Sequence, residues 1–202
     1  MNYTEEQVKE IVACRDSIKY FADKYIKYNS RMGVVQVKLN DFQHGVIDRF
    51  EKEKIFFIPS ERQSGKSTVA AIILLHQALF NTNRVSIIFA RTLANSNQIL
   101  ELIREMYDRL PTFLAISKTQ NNRSTLTFDN GCSIISAGSN IDIAKGRTIS
   151  IVYIDESEWF DKIDDVMKCV YPAMIFNAYS KIFSLSSVMT GEIFRKYNTG
   201  DI

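Results

Sequence analysis

Ser60-Glu61-Arg62-Gln63-Ser64-Gly65-Lys66-Ser67-Thr68 constrains this chain more than any other stretch. It follows the apolar run Ile55-Phe56-Phe57-Ile58 and opens an apolar-periodic segment from Val69 to Leu79. A strand, a turn carrying Gly-Lys-Ser and a helix, in that order, form a cradle for phosphate. Backbone N–H groups of the turn and of the helix start converge on one anion. In such a cradle Lys66 bridges the outer phosphates and the Ser67 hydroxyl takes Mg²⁺. The usual pattern, G-x-x-x-x-G-K-[ST], begins with glycine, and this chain has Ser60 there.

The remaining periodicities place this element in an α/β domain. Thr4 to about Tyr28 reads as one amphipathic helix opened by a Thr4/Gln7 capping box. Val34–Leu39 is extended, and Asn40 caps a helix from Asp41 to about Lys52. After the strand at 55–58 come a helix at 66–80, a buried strand within Arg84–Ala90, and a helix from Leu93 to about Leu110 that Pro111 ends. Thr125–Phe128 and Ser133–Ser136 flank Asp129-Asn130-Gly131 as a hairpin. A strand at 149–154, a helix from Asp164 to about Phe176 bent near Pro172, and a strand at 181–185 complete the set. Strands alternating with helices imply a mainly parallel sheet covered on both faces.

Composition agrees with one domain. The chain has 202 residues, 46% hydrophobic and 11% aromatic, which supports a sizeable core and excludes wholesale disorder. A net charge of +2 is too mild to argue nucleic-acid binding by itself. No apolar run approaches the ~20 residues that span a bilayer, and the polar, acidic start is unlike a signal peptide. Cys14, Cys132 and Cys169 lack metal-ligand spacing and read as reduced, buried thiols of a cytosolic protein.

The second decisive element is Ile149-Ser150-Ile151-Val152-Tyr153-Ile154-Asp155-Glu156. An apolar strand delivers two acids at the carboxyl edge of the sheet, where ligands of open α/β sheets sit. Asp155 would hold Mg²⁺ and Glu156 would polarise a water as general base. Adjacent Asp-Glu points to a nucleotide hydrolase that carries its own base. No guanine-reading Asn-Lys-x-Asp string is present.

These motifs, taken together, resemble the ATPase domain of the large terminase subunit, the DNA-packaging motor of tailed bacteriophages. That family often has a phosphate loop without the leading glycine, as at Ser60–Thr68. Lys38-Leu39-Asn40-Asp41-Phe42-Gln43 resembles its adenine-recognition segment, and Ile151–Glu156 its Mg²⁺ and base motif. Phe128–Ile134 resembles the hairpin between them, and Ser184-Leu185-Ser186-Ser187 stands at its coupling motif. The similarity covers about residues 35–200.

The resemblance implies a P-loop NTPase of the additional-strand, catalytic-glutamate type, with a mainly parallel central sheet flanked by helices, a β-hairpin and an N-terminal helical segment. It implies one ATPase domain over 1–202, with a helical lead-in (1–33) and a P-loop core (34–202). Implied ATP-binding residues are Gln43, Arg62, Gln63, Ser64, Gly65, Lys66, Ser67 and Thr68; Ser67 and Asp155 take Mg²⁺, and Glu156 and Arg62 are catalytic. Ser186 and Ser187 would couple hydrolysis to motion, and Arg147 or Lys145 would reach a neighbour's site. Implied partners are double-stranded DNA, the portal protein, the small terminase subunit and further copies in a ring; the isolated domain is expected as a slow monomer. The implied place of action is the cytoplasm of the infected bacterial host, transiently at the procapsid portal, with no membrane. No nuclease activity is expected, because no acidic cluster follows Ser187.

Plainer readings stand beside these. Gln43 could be a solvated residue at a helix start, Arg62 a structural partner of Glu61 or Glu156, Ser186 and Ser187 strand caps, and Arg147 a surface residue. His44 and His76 read as structural, Trp159 as a packing anchor, and Lys162, Lys168, Lys181, Arg195 and Lys196 as scattered charges. A helicase-like DNA-dependent ATPase and a nucleotide-binding assembly module with negligible turnover are the competing functions.

Overall fold

The computed structural model describes residues 3–30, 33–157, 163–175, 177 and 179–187. Trp159, Lys162, Arg195, Lys196 and the expected helix end at Phe176 lie outside them.

The chain opens with helix α1 (Glu5–Asp16), where Thr4 and Gln7 form the expected reciprocal capping box. The single helix expected to reach Tyr28 is in fact two. Ser17 is extended and caps α2 (Ile18–Tyr25), its hydroxyl accepting from the Tyr20 N–H at 3.1 Å. A serine hydroxyl satisfies a helix start better than a helix interior. The break lets Ile18, Phe21 and Ala22 of α2 enter the core, whereas α1 buries Cys14 alone among its described side chains. The stretch to Tyr28 then ends as a strand. β1 (Lys27–Ser30) pairs antiparallel with β2 (Gly33–Gln36) in a small hairpin.

Helix α3 (Asp41–Lys52) starts at Asn40, which accepts from the Gln43 N–H while the Gln43 side chain accepts from the Asn40 N–H. The order continues β3 (Ile55–Pro59), α4 (Lys66–Leu79), β4 (Val85–Phe89), α5 (Leu93–Tyr107), β5 (Lys118–Asn122), β6 (Thr125–Phe128) and β7 (Ser133–Gly138). A 3₁₀ turn at Ile141–Ala144 precedes β8 (Ile151–Asp155), α6 (Ile163–Ile175) and β9 (Lys181–Ser186). α6 runs through Pro172.

Seven of these strands form one sheet in the order β3-β9-β8-β4-β7-β6-β5. The first five are parallel neighbours, and β6 and β5 continue antiparallel. β9 therefore lies between β3, which leads into the phosphate loop, and β8, which carries the acids. This is the additional-strand arrangement. The β6–β7 hairpin is built into the sheet, because β7 also pairs with β4.

β5 lies outside the expected elements. Its Lys-Thr-Gln-Asn-Asn sequence has no apolar alternation because it is an exposed edge, and a polar edge discourages pairing with other chains. It is held instead by the buried Arg104 of α5, whose Nε donates to Asn121 Oδ1 at 2.8 Å and whose Nη2 donates to the Asn122 carbonyl.

Successive strand residues point to opposite faces, so the sheet has two cores. Phe56, Ile88, Tyr153 and Phe183 pack toward α2–α5, and Phe57, Ile87, Val152 and Ile182 toward α6. At the amino end of β9, Lys181 Nζ donates to the Phe50 carbonyl and, at 3.0 Å, to the Glu53 carbonyl, at the carboxyl end of α3.

Candidate nucleotide site

The phosphate loop is anchored at its start by the serine that replaces glycine. Ser60 is buried, and both its N–H (2.8 Å) and its hydroxyl (3.2 Å) donate to the Ser186 carbonyl of β9. The loop then turns through left-handed backbone at Gln63 (φ 65°) and Gly65 (φ 84°). Gly65 precedes α4, and no side chain caps that helix, so its first N–H groups are left for an anion. A Cβ at Gly65 would lie 2.5 Å from Gln43 Nε2. The Ser64 hydroxyl is buried without a hydrogen-bond partner among the described residues.

Helix α3 buttresses this loop. Gln43 Nε2 donates to the Gly65 carbonyl at 3.1 Å, and Asn40 Nδ2 donates to the Ser64 carbonyl at 3.1 Å. Gln43 is thus buried rather than solvated, and both ends of its amide are engaged by the protein. The adenine contact expected of it would require these bonds to open.

The acids arrive at the end of β8. Asp155 is largely buried, which pushes its carboxyl above the usual range; a hydrogen bond from Tyr153 and the charge of Lys66 oppose this. Tyr153 Oη donates to Asp155 Oδ1 at 2.7 Å. Glu156 leaves the strand with φ 53°, left-handed backbone that costs a non-glycine residue on the order of 1 kcal/mol or more. Its carboxylate is ion-paired with Lys66. Ser187 adds two bonds to it, N–H to Oε2 and Oγ to Oε1, both 2.6 Å, and Lys66 Nζ lies 2.5 Å from Ser187 Oγ. Beneath, the Ser186 hydroxyl accepts from the Ser157 N–H at 2.7 Å and pairs with its hydroxyl at 2.9 Å.

Ser67 and Asp155 line one cleft of about 630 Å³ that continues along α5 past Asn95 and Gln98 to Arg123. Among the described residues no group of three or more His, Cys, Asp or Glu could hold a metal. One hydroxyl and one carboxylate suit Mg²⁺, which keeps waters and takes substrate phosphate oxygens for the rest of its shell. The donor set therefore fits the expected ion.

The structure brings Gln43, Ser64, Gly65, Lys66, Ser67, Asp155, Glu156 and Ser187 to one end of the sheet, with Ser186 supporting them. Thr68 follows, half-buried, in the first turn of α4, and Gln63 is exposed on the loop. Arg62 is also exposed, and among the described residues neither Glu61 nor Glu156 pairs with it. Lys145 pairs with Asp142 at 2.6 Å on the surface beyond the 3₁₀ turn. Arg147 is exposed nearby, without an ion-pair partner among the described residues. His76 is structural as expected. It is buried, its Nε2–H donates to the Cys14 carbonyl at 2.8 Å, and burial lowers its pKa to about 4.

Sequence reading missed three contributors: Asn40 as a strut under the loop, Ser157 as the partner of Ser186, and Tyr153 as the partner of Asp155. Only Tyr153 left a signal. A phenol two positions before the acid lies on the same strand face and needs a partner when buried.

The fold and family have known counterparts. The crystal structure of the HK97 bacteriophage large terminase superposes with a TM-score of 0.68 at 16% identity, covering 85% of this chain and 37% of that one. This chain thus spans little more than a third of that protein's length. The large terminase ATPase domain of Thermus phage P74-26 gives a TM-score of 0.53 at 16% identity, over 79% of this chain and 68% of the other. The UvsW helicase of bacteriophage T4 gives 0.61 at 13%, over 90% and 64%. At such identities these likenesses establish the P-loop ATPase fold alone. The family model described as "Terminase large subunit, T4likevirus-type, N-terminal" matches residues 61–169, more than half of the chain, from Glu61 in the phosphate loop through the acidic strand. This chain belongs to that terminase family.

Proposed function

We propose that this chain hydrolyses ATP with Mg²⁺ and that the hydrolysis drives double-stranded viral DNA into a procapsid. The observation that carries the reading is the Lys66–Glu156–Ser187 cluster facing an uncapped helix start. A triphosphate tail would enter over Ser64 to Thr68, where α4 offers free N–H groups and the orphaned Ser64 hydroxyl gains a partner. Lys66 would turn from Glu156 to the outer phosphates. Glu156, still held by Ser187, would then be free to orient and deprotonate the attacking water. Ser67 and Asp155 would hold Mg²⁺, which when bound neutralises charge on the β- and γ-phosphate oxygens.

Arg62, exposed on the loop, would add its guanidinium to the same phosphoryl group. In a ring of copies, a neighbour's Arg147 is better placed than Lys145 to add another, since Asp142 holds Lys145. Ser186 ends, and Ser187 directly follows, the strand that touches both loop and acids, so product release there would move the domain. The portal, the small terminase subunit and DNA are the partners this reading requires, and the host cytoplasm its place. Among the described residues no helix is long and apolar enough to cross a membrane. A helicase-like activity is the second reading, favoured by the likeness to UvsW.

Phosphate release with and without Mg²⁺, double-stranded DNA and portal-bearing procapsids tests the proposal. Mg²⁺-dependent turnover stimulated by DNA and portal supports it. No phosphate above background under all conditions would overturn it in favour of a binding module, and strand displacement would favour the helicase.

A further inference from the structure

We propose that Tyr153 is a positioning residue for the metal ligand Asp155, fixing which carboxylate oxygen the cation meets. The inference rests on the Mg²⁺–nucleotide reading of the site and extends it to a residue that would touch neither ion nor nucleotide. Tyr153 is fully buried in β8, two positions before Asp155 and on the same face. Its ring is locked against Phe183 of β9, with centroids 4.8 Å apart. Its hydroxyl donates to Asp155 Oδ1 at 2.7 Å, the one side-chain hydrogen bond that Asp155 makes among the described residues.

The geometry has a direct chemical consequence. A carboxylate with no partner can rotate and present either oxygen, or both, to a cation. With Oδ1 engaged by Tyr153, Oδ2 is the carboxylate oxygen left without a side-chain partner among the described residues, on a residue that lines the same cleft as Ser67. Mg²⁺ demands near-octahedral geometry and tolerates misplacement poorly. Outer partners that orient a ligating carboxylate typically contribute about 10–100-fold to metal affinity or activity.

Tyr153→Phe tests this with little disturbance, since it removes one oxygen from an aromatic cluster that already contains Phe56 and Phe183. Binding of a fluorescent ADP analogue is measured across a Mg²⁺ titration and again in EDTA. The expected result is a Mg²⁺ midpoint raised about tenfold or more, with the affinity in EDTA unchanged. In an Asp155→Asn background, adding Tyr153→Phe should no longer move the midpoint. A melting temperature that falls while the Mg²⁺ midpoint stays put would reduce Tyr153 to a core residue and overturn the inference. Should the variant fold poorly, wild-type protein with isotope-labelled tyrosine provides a second measure: adding Mg²⁺ to the ADP-bound form should shift the Tyr153 signals, and their constancy would overturn the inference. Wild-type nucleotide binding that ignores Mg²⁺ altogether would instead remove the underlying site reading, and this inference with it.

Discussion

The ammonium of Lys66 is paired with the carboxylate of Glu156, and Ser187 bonds to both. The side chains that would grip phosphate and activate water thus neutralise each other. Both are mostly shielded from solvent, with 14% and 20% of their side-chain surface exposed. Glu156→Gln keeps the shape and can still accept from the Ser187 N–H, but it cannot take a proton. Nucleotide binding should persist, or tighten as the Lys66–Glu156 ion pair is lost, while turnover falls by about 10²-fold or more. Equilibrium binding and phosphate release on the same preparation check this; steady hydrolysis in the variant refutes the assigned base.

Gln43 supports the loop from below through Gly65. Gln43→Ala should weaken ATP and GTP by similar factors, because the lost bond shapes the phosphate end rather than the base end. Competition binding with both nucleotides decides the matter. A loss confined to ATP would assign Gln43 to adenine instead.

Gly138 ends β7 with φ 58°, and a Cβ there would sit 2.6 Å from the Leu93 nitrogen and 2.9 Å from its Cα. Both are backbone atoms of the α5 start, so no rotamer relieves the clash. Gly138→Ala should destabilise the fold by about 2 kcal/mol or more. For a domain of this size that lowers the melting temperature by about 4–8 °C, which calorimetry can measure.

His76 is buried and neutral, with its pKa lowered from 6.5 to about 4. The unfolded chain therefore binds a proton that the folded one refuses between those values. Stability is full above pH 6.5, falls as the pH drops toward 4 and then levels, a change on the order of 3 kcal/mol. His76→Gln should flatten that part of the curve relative to the wild type in melts run from pH 7 to 4.

Both chemical motifs could be read from sequence because each couples a buried strand to residues whose chemistry has few other uses. The strand at Ile151–Asp155 and the helix after Gly65 lie within a residue or two of expectation. β5 escaped because an edge strand needs no apolar side, and the α1/α2 break escaped because the hydrophobic spacing runs on through Ser17. The contacts of Ser60, Asn40 and Ser157 were invisible for a different reason. Each joins residues far apart in the chain through a short polar side chain, and such pairings leave no periodic trace.

Lys181 grips the far end of the helix whose near end props the phosphate loop, and the strand it starts finishes at the serine carbonyl that holds the same loop. Loop, helix and strand make a closed frame. A force applied at any corner is shared by the other two, so the loop cannot be displaced by its ligand without tugging the strand wedged between it and the acids.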